Sequence, residues 1–185
     1  MALLSSTRIR PAALGAILAL LTLASAHGEP RPPYKDPAQP VSVRVEDLLG
    51  RMTLDEEVAQ MQGVWENKGA IQTPDETFSA DKATAAFPSG LGQISRPSDR
   101  RGVTPAPGAP APVNRDARET ADYTNAAQHW AVEKTRLGIP LLFHDEGLHG
   151  YVARGATSFP QAIGLASTWD PDLSVKVFSV AARAT

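Results

Sequence analysis

The segment Ile139-Pro140-Leu141-Leu142-Phe143 is a short, unbroken apolar run, and His144-Asp145-Glu146-Gly147-Leu148-His149-Gly150 follows it at once. A run of this length reached directly from a helical stretch reads as a buried parallel strand. The helical stretch lies just upstream. Asn114 is a candidate N-cap with Asp116 in the first turn, Tyr123, Ala126, Ala127, Trp130 and Leu137 share one face, and Gly138 stands as a C′ glycine. Helix, tight turn and buried strand make an α/β unit. In such units the chemistry gathers where the strands end.

Two chemistries compete for the polar residues at that strand end. A metal site of the H-E-x-x-H kind fails on spacing: His144 and His149 are five residues apart, which on a helix separates them by about 140°. Glu146 and His149 match E-x-x-H, but a di-iron bundle needs two such motifs on long helices, and Gly147 and Gly150 argue against one. The other chemistry is a carboxylate offered to a polar ligand, for which paired sugar hydroxyls are suitable donors. A third reading has Asp145, Glu146 and both histidines satisfying loop backbone and one another. The residues by themselves leave the last two open.

Further motifs narrow the choice. Thr-Arg-Leu-Gly-Ile-Pro (135–140), Glu-Gly-Leu-His-Gly (146–150), Gly-Ala-Thr-Ser-Phe-Pro-Gln (155–161) and Gly-Leu-Ala-Ser-Thr-Trp-Asp-Pro (164–171) occur in order. Together they resemble the N-terminal barrel domain of glycoside hydrolase family 3. The stretch Arg44 to Met61, with Met52-Thr53-Leu54 inside it, is similar to that domain's entry helices. The resemblance runs from about Tyr34 to Thr185, except for a Pro-rich loop at about 96–113.

The resemblance implies an α/β fold, the N-terminal portion of a (β/α)₈ TIM-like barrel. With 185 residues the chain is shorter than the about 250 of a complete barrel, so the barrel is expected to be incomplete. It also implies a retaining, exo-acting hydrolase of terminal β-linked glucose or xylose, needing neither cofactor nor metal, with an oligosaccharide or other β-glycoside as its partner. In the family a carboxylate just before Leu-His-Gly binds hydroxyls of the terminal sugar, and that position here is Glu146. Many of the family's glucosidases carry Asp there, whereas Glu occurs in xylosidase-like and mixed-specificity members. His144, Asp145 and His149 are expected to support the loop. The family's nucleophile, in a Ser-Asp-Trp-like motif, its Lys-His pair and its acid/base have no counterpart among these residues. The tryptophans are Trp65, Trp130 and Trp169, and Asp170-Pro171 reads as a helix N-cap with proline at N1. No catalytic residue is therefore expected within the chain, and the alternative to a parent hydrolase is an inactive fragment with at most weak sugar binding. An apolar stripe of Leu173, Val177, Val180, Ala181 and Ala184 running to the last residue fits the same expectation of a fragment.

Toward the N-terminus, Arg8 and Arg10, the apolar run Ala12 to Leu23 and Ala24-Ser25-Ala26 form the three parts of a secretory signal peptide, assigned to residues 1–26. The run is too short for the ~20 residues of a membrane span. A secreted or periplasmic location follows, with no span after cleavage. Residues 27–41, with five prolines, read as an extended leader. The barrel portion is assigned to 42–185. It opens with a short helix over Val43 to Arg51, then a Thr53-Leu54-Asp55-Glu56 capping box and a helix presenting Leu54, Val58 and Met61 before a stop at Gly63. Residues 64–90 read as loop, and Leu91 to Ser95 as a short strand.

Composition supports these readings by exclusion. The 18 Lys+Arg against 20 Asp+Glu leave no polybasic character. Arg96, Arg100 and Arg101, without interleaved aromatics, read as a solvated loop, so no nucleic-acid partner is expected. There is no cysteine, hence no disulfide framework or thiolate chemistry.

Overall fold

The computed structural model describes residues 31–100 and 114–184. The assigned signal peptide, residues 27–30 of the leader and the Pro-rich residues 101–113 lie outside them. The chain divides into two compact units, one up to Arg51 and one from Met52.

In the first unit, Pro33–Lys35 forms a 3-10 turn and α1 spans Val41–Leu49. The turn interrupts the leader between Pro32 and Asp36, whose own backbones are extended. Tyr34 closes it against the helix: its N–H donates to Asp47 Oδ2 at 3.1 Å, and its carbonyl accepts from Arg44 Nε at 3.2 Å. The helix starts two residues earlier than expected, with Pro40 at the N-cap. A proline there loses no helical hydrogen bond, and its fixed φ suits the entry.

The second unit begins with α2, Leu54–Gln60. The capping box is present in full: the Thr53 hydroxyl accepts from Glu56 N at 3.3 Å and Glu56 Oε2 accepts from Thr53 N at 2.9 Å. The face that packs is not the predicted one. Leu54, Val58 and Met61 are exposed, whereas Glu56 and Ala59 are buried. The reason is electrostatic as well as steric, because Arg136 donates two bonds from its guanidinium to the Glu56 carboxylate and draws that face inward.

Beyond it run β1 (Gly63–Val64), a 3-10 turn (Lys68–Ala70), α3 (Ala80–Ala86), β2 (Gln93–Ser95), α4 (Ala117–Lys134), β3 (Leu142–His144), α5 (Ala162–Ala166) and α6 (Pro171–Ala184). Gly63 thus opens a strand instead of stopping a helix. Residues 64–90 hold a strand end and a helix that sequence periodicity concealed, since β1 has two residues and α3 seven. The strands form one parallel sheet in the order β1-β2-β3, with Val64 opposite Ile94 and Ile94 opposite Phe143. That row faces the core, together with Ile71, Ala83, Leu91, Tyr123, Ala127, Trp130 and Leu141. The next row, Ser95 opposite His144, points to the other side of the sheet. This is a mixed α/β fold built on a small parallel sheet.

Four expectations around β3 are corrected. The N-cap of α4 is Asp116, in a capping box with Glu119, and Asn114 Nδ2 instead donates to the Val152 carbonyl at 3.3 Å. The helix stops at Lys134, so Gly138, at φ 63°, turns the chain after the helix has already ended. The strand occupies 142–144, not 139–143. Pro140 has no N–H to give a ladder, and Leu141 is claimed by a side chain: Gln128 accepts from its N–H at 2.9 Å and donates to its carbonyl at 2.8 Å. Nor is β3 a buried strand. It is the sheet edge, with Leu142 71% exposed.

Gly92 is required by close approach: a Cβ there would collide with the Gln60 carbonyl.

Candidate functional site

The three strands point the same way, so their carboxyl ends bring separate stretches of sequence to one rim. Lys68 follows β1, Arg96 to Asp99 follow β2, and Asp145 and Glu146 follow β3.

Glu146 lies just past the strand end with its side chain 46% exposed, and its Oε2 is 4.0 Å from Arg96 Nη1. Its neighbour Asp145 is used differently. Asp145 Oδ2 accepts from Ser98 Oγ at 3.4 Å and Oδ1 accepts from the Glu146 N–H at 3.1 Å. Tyr151 also bonds to Ser98 and Asp145, and burial pushes its phenol pKa up. Ser98 Oγ lies 3.2 Å from the Val152 carbonyl as well. Asp145 is thus tied to the loop after β2 and the chain after Gly150, while Glu146 is left open to solvent.

His144 is the last residue of β3, not part of the loop, and its carbonyl accepts from Arg96 N at 2.7 Å. The His149 carbonyl accepts from Phe159 N at 2.7 Å. This bond folds the Gly-Ala-Thr-Ser-Phe-Pro segment back onto His149-Gly150. Gly150 is buried at φ 108°, and a Cβ there would strike the Thr157 carbonyl, so only glycine fits.

Beneath the rim sit charges that the sequence reading missed. Arg115 is buried, its guanidinium 3.9 Å from the centre of the Tyr123 ring, and it donates to the carbonyls of Pro97 (2.8 Å), Asp99 (3.0 Å) and Glu76 (2.6 Å). It rivets the loop after β2 to the segment carrying Glu76. Lys68 is fully buried, and desolvation pushes its pKa down to about 8, against the opposing pull of Asp99. Arg96 and Arg100, expected in a solvated loop, keep only 12% and 20% of their side chains exposed. Arg100 Nη2 pairs with Glu119 Oε1 at 2.7 Å. Arg96 was legible in principle, because it follows a strand that the sequence shows. Lys68 had no comparable signal, since a two-residue strand carries no period.

A cavity of about 680 Å³ beside the sheet does not include Glu146. It runs from Thr120, Thr124 and Gln128 of α4 to Phe143, His144 and Asp145. It is a groove beside the edge strand, and the convergence of charge marks the rim as the better candidate site. Among the described residues no cluster of three or more His, Asp or Glu side chains could hold a metal ion.

Residues 53–184 match the Glycosyl hydrolase family 3 N terminal domain. The chain belongs to glycosyl hydrolase family 3. Among its relatives, a Formosa agariphila protein with the provisional name β-xylosidase is 28% identical over 151 residues, which are 81% of this chain and 18% of that protein. Beta-glucosidase C of Emericella nidulans is 29% identical over 160 residues, 82% of this chain and 23% of that one. A solved structure of a β-glucosidase from Erythrobacter marinus superposes with a TM-score of 0.57 at 30% identity, over 80% of this chain and 17% of that chain. The family 3 chain described here therefore spans about a fifth of the length of these relatives.

Proposed function

We propose that this chain supplies the first β/α units of a (β/α)₈-like barrel, and the sugar-holding carboxylate, of a retaining glycoside hydrolase. The reading takes terminal β-linked glucose or xylose as substrate. The observation that carries it is the position of Glu146, a solvent-open carboxylate at the carboxyl end of a parallel sheet, in a chain of this family. The order β1-β2-β3, in which each crossover lays the next strand beside the last, is the order of a barrel's opening strands.

A carboxylate in this place accepts hydrogen bonds from sugar hydroxyls. Retaining hydrolysis further needs a nucleophile and an acid/base about 5–5.5 Å apart, flanking the scissile bond. In this reading both come from outside the chain. Asp145 in this reading serves neither role and instead braces the loop, accepting from Ser98 Oγ and the Glu146 N–H. The protein is exported, with residues 1–26 removed. No described helix is long and apolar enough to cross a membrane.

The test is release of nitrophenol from p-nitrophenyl β-D-glucoside and β-D-xyloside by the full-length protein, with the anomer of the first-formed sugar followed by proton NMR. Turnover with retention of the β-anomer is expected. Inversion, or no turnover of either glycoside, contradicts the proposal. N-terminal sequencing of exported material should start at His27, and a start at Met1 or Ala2 contradicts export by this route.

A further inference from the structure

We infer that Arg96 is a second sugar-binding residue, sharing one substrate hydroxyl with Glu146; the inference rests on the glycosidase reading above. A hydroxyl both donates and accepts. A carboxylate can satisfy only its donor half, so the hydroxyl oxygen still requires a donor when water is excluded from the site. The Arg96 guanidinium stands where that donor is needed. Its Nη1 is 4.0 Å from Glu146 Oε2, too long for a direct hydrogen bond and close enough for one hydroxyl to meet both groups.

Three observations indicate that Arg96 is held for this purpose. Its backbone sits at φ 49°, a left-handed conformation that a non-glycine residue adopts at a cost, and the Arg96 N–H to His144 carbonyl bond of 2.7 Å fixes it there. Its side chain is mostly covered, so the guanidinium has little freedom to turn away. The charge on buried Lys68 acts on it repulsively. Moreover, the buried side-chain atoms lacking a hydrogen-bond partner among the described residues, Lys68 Nζ, Arg96 Nε and Asp99 Oδ1, belong to this one charge cluster.

The test uses the full-length protein, a p-nitrophenyl glycoside that it hydrolyses and the set of monodeoxy analogues of that glycoside. Arg96→Met should lower kcat/KM about 10–150-fold on the parent glycoside, the range of one hydrogen bond to a charged group. Arg96→Lys, which keeps a donor and the charge, should recover part of that loss. One monodeoxy analogue should be insensitive to Arg96→Met and less sensitive to Glu146→Gln than the parent glycoside is, and the double variant should lose less than the product of the single losses. Should Arg96→Met unfold, Arg96→Lys carries the same comparison: a loss confined to substrates bearing that hydroxyl supports the inference, and an equal loss on every analogue contradicts it. Arg96→Met activity within about twofold of wild type, or losses that multiply with those of Glu146→Gln, overturns the inference while leaving the glycosidase reading intact. Absence of wild-type hydrolysis removes that reading, and the inference with it.

Discussion

Asp145 and Glu146 are adjacent carboxylates with opposite surroundings, and the contrast decides what each can do. Asp145 accepts from Ser98 and from the Glu146 N–H, so Asp145→Ala should act by loosening the loop. In the full-length protein it should lower the unfolding midpoint while costing less in kcat/KM than loss of Glu146. His144→Ala, at a side chain exposed to solvent, should cost less still on both measures. The sequence showed which residues follow the strand, but not this division, because it depends on Ser98 and Tyr151 approaching from elsewhere. Glu56 illustrates a different residue-scale effect. The Arg136 guanidinium, with the Thr53 N–H and hydroxyl, holds the Glu56 carboxyl at about 2, below its usual 4.5. The folded value is the lower one, so the stabilisation is complete above about pH 4.5 and is lost as pH falls toward 2. Glu56→Gln should cost about 1 kcal/mol near pH 6, a modest figure because the Arg136 side chain is 56% exposed. Denaturant titrations should show the gap from wild type closing between pH 5 and pH 2, and a gap constant across that range would contradict the ion-pair account.

Elements were legible where their signals are long or chemically explicit. The capping box at Thr53, the buried face of α4 through Tyr123, Ala127 and Trp130, and the Asp170-Pro171 start of α6 appear as read, the last with Leu173 N donating to Asp170 Oδ1 at 3.0 Å. What failed was set by partners distant in sequence. The start of β3 moved because Gln128 claims Leu141, and the inward face of α2 was inverted by Arg136. β1 escaped notice because two residues have no periodicity. Close packing between elements also makes a prediction. Gly92 lies against the Gln60 backbone at the end of α2, so Gly92→Ala should destabilise by about 2–3 kcal/mol. Gly69, with open space around it, should accept alanine at little cost. Equal unfolding midpoints for the two variants would contradict the packing of α2 on the strand ends.

Across the Met52–Ala184 unit, apolar side chains lie uncovered: Leu142, Leu148, Ile163, Val175 and Phe178 are exposed, and Trp169 is 91% exposed. The edge strand β3 carries some of this surface, and such an edge invites pairing. Under the barrel reading, further strands and helices cover it. Residues 27–185 alone should then bind a hydrophobic dye, self-associate and turn over no aryl glycoside. A monomer that unfolds cooperatively and hydrolyses one would overturn the assignment of the chemistry to other residues. On the proposed function, Glu146 holds the terminal sugar. The most direct test is kcat/KM of Glu146→Gln in the full-length protein, on an aryl β-glucoside and an aryl β-xyloside. A fall of about 10–150-fold on the better substrate is predicted, from a hydrogen bond worth roughly 1.5–3 kcal/mol, and kcat/KM unchanged on both would contradict it.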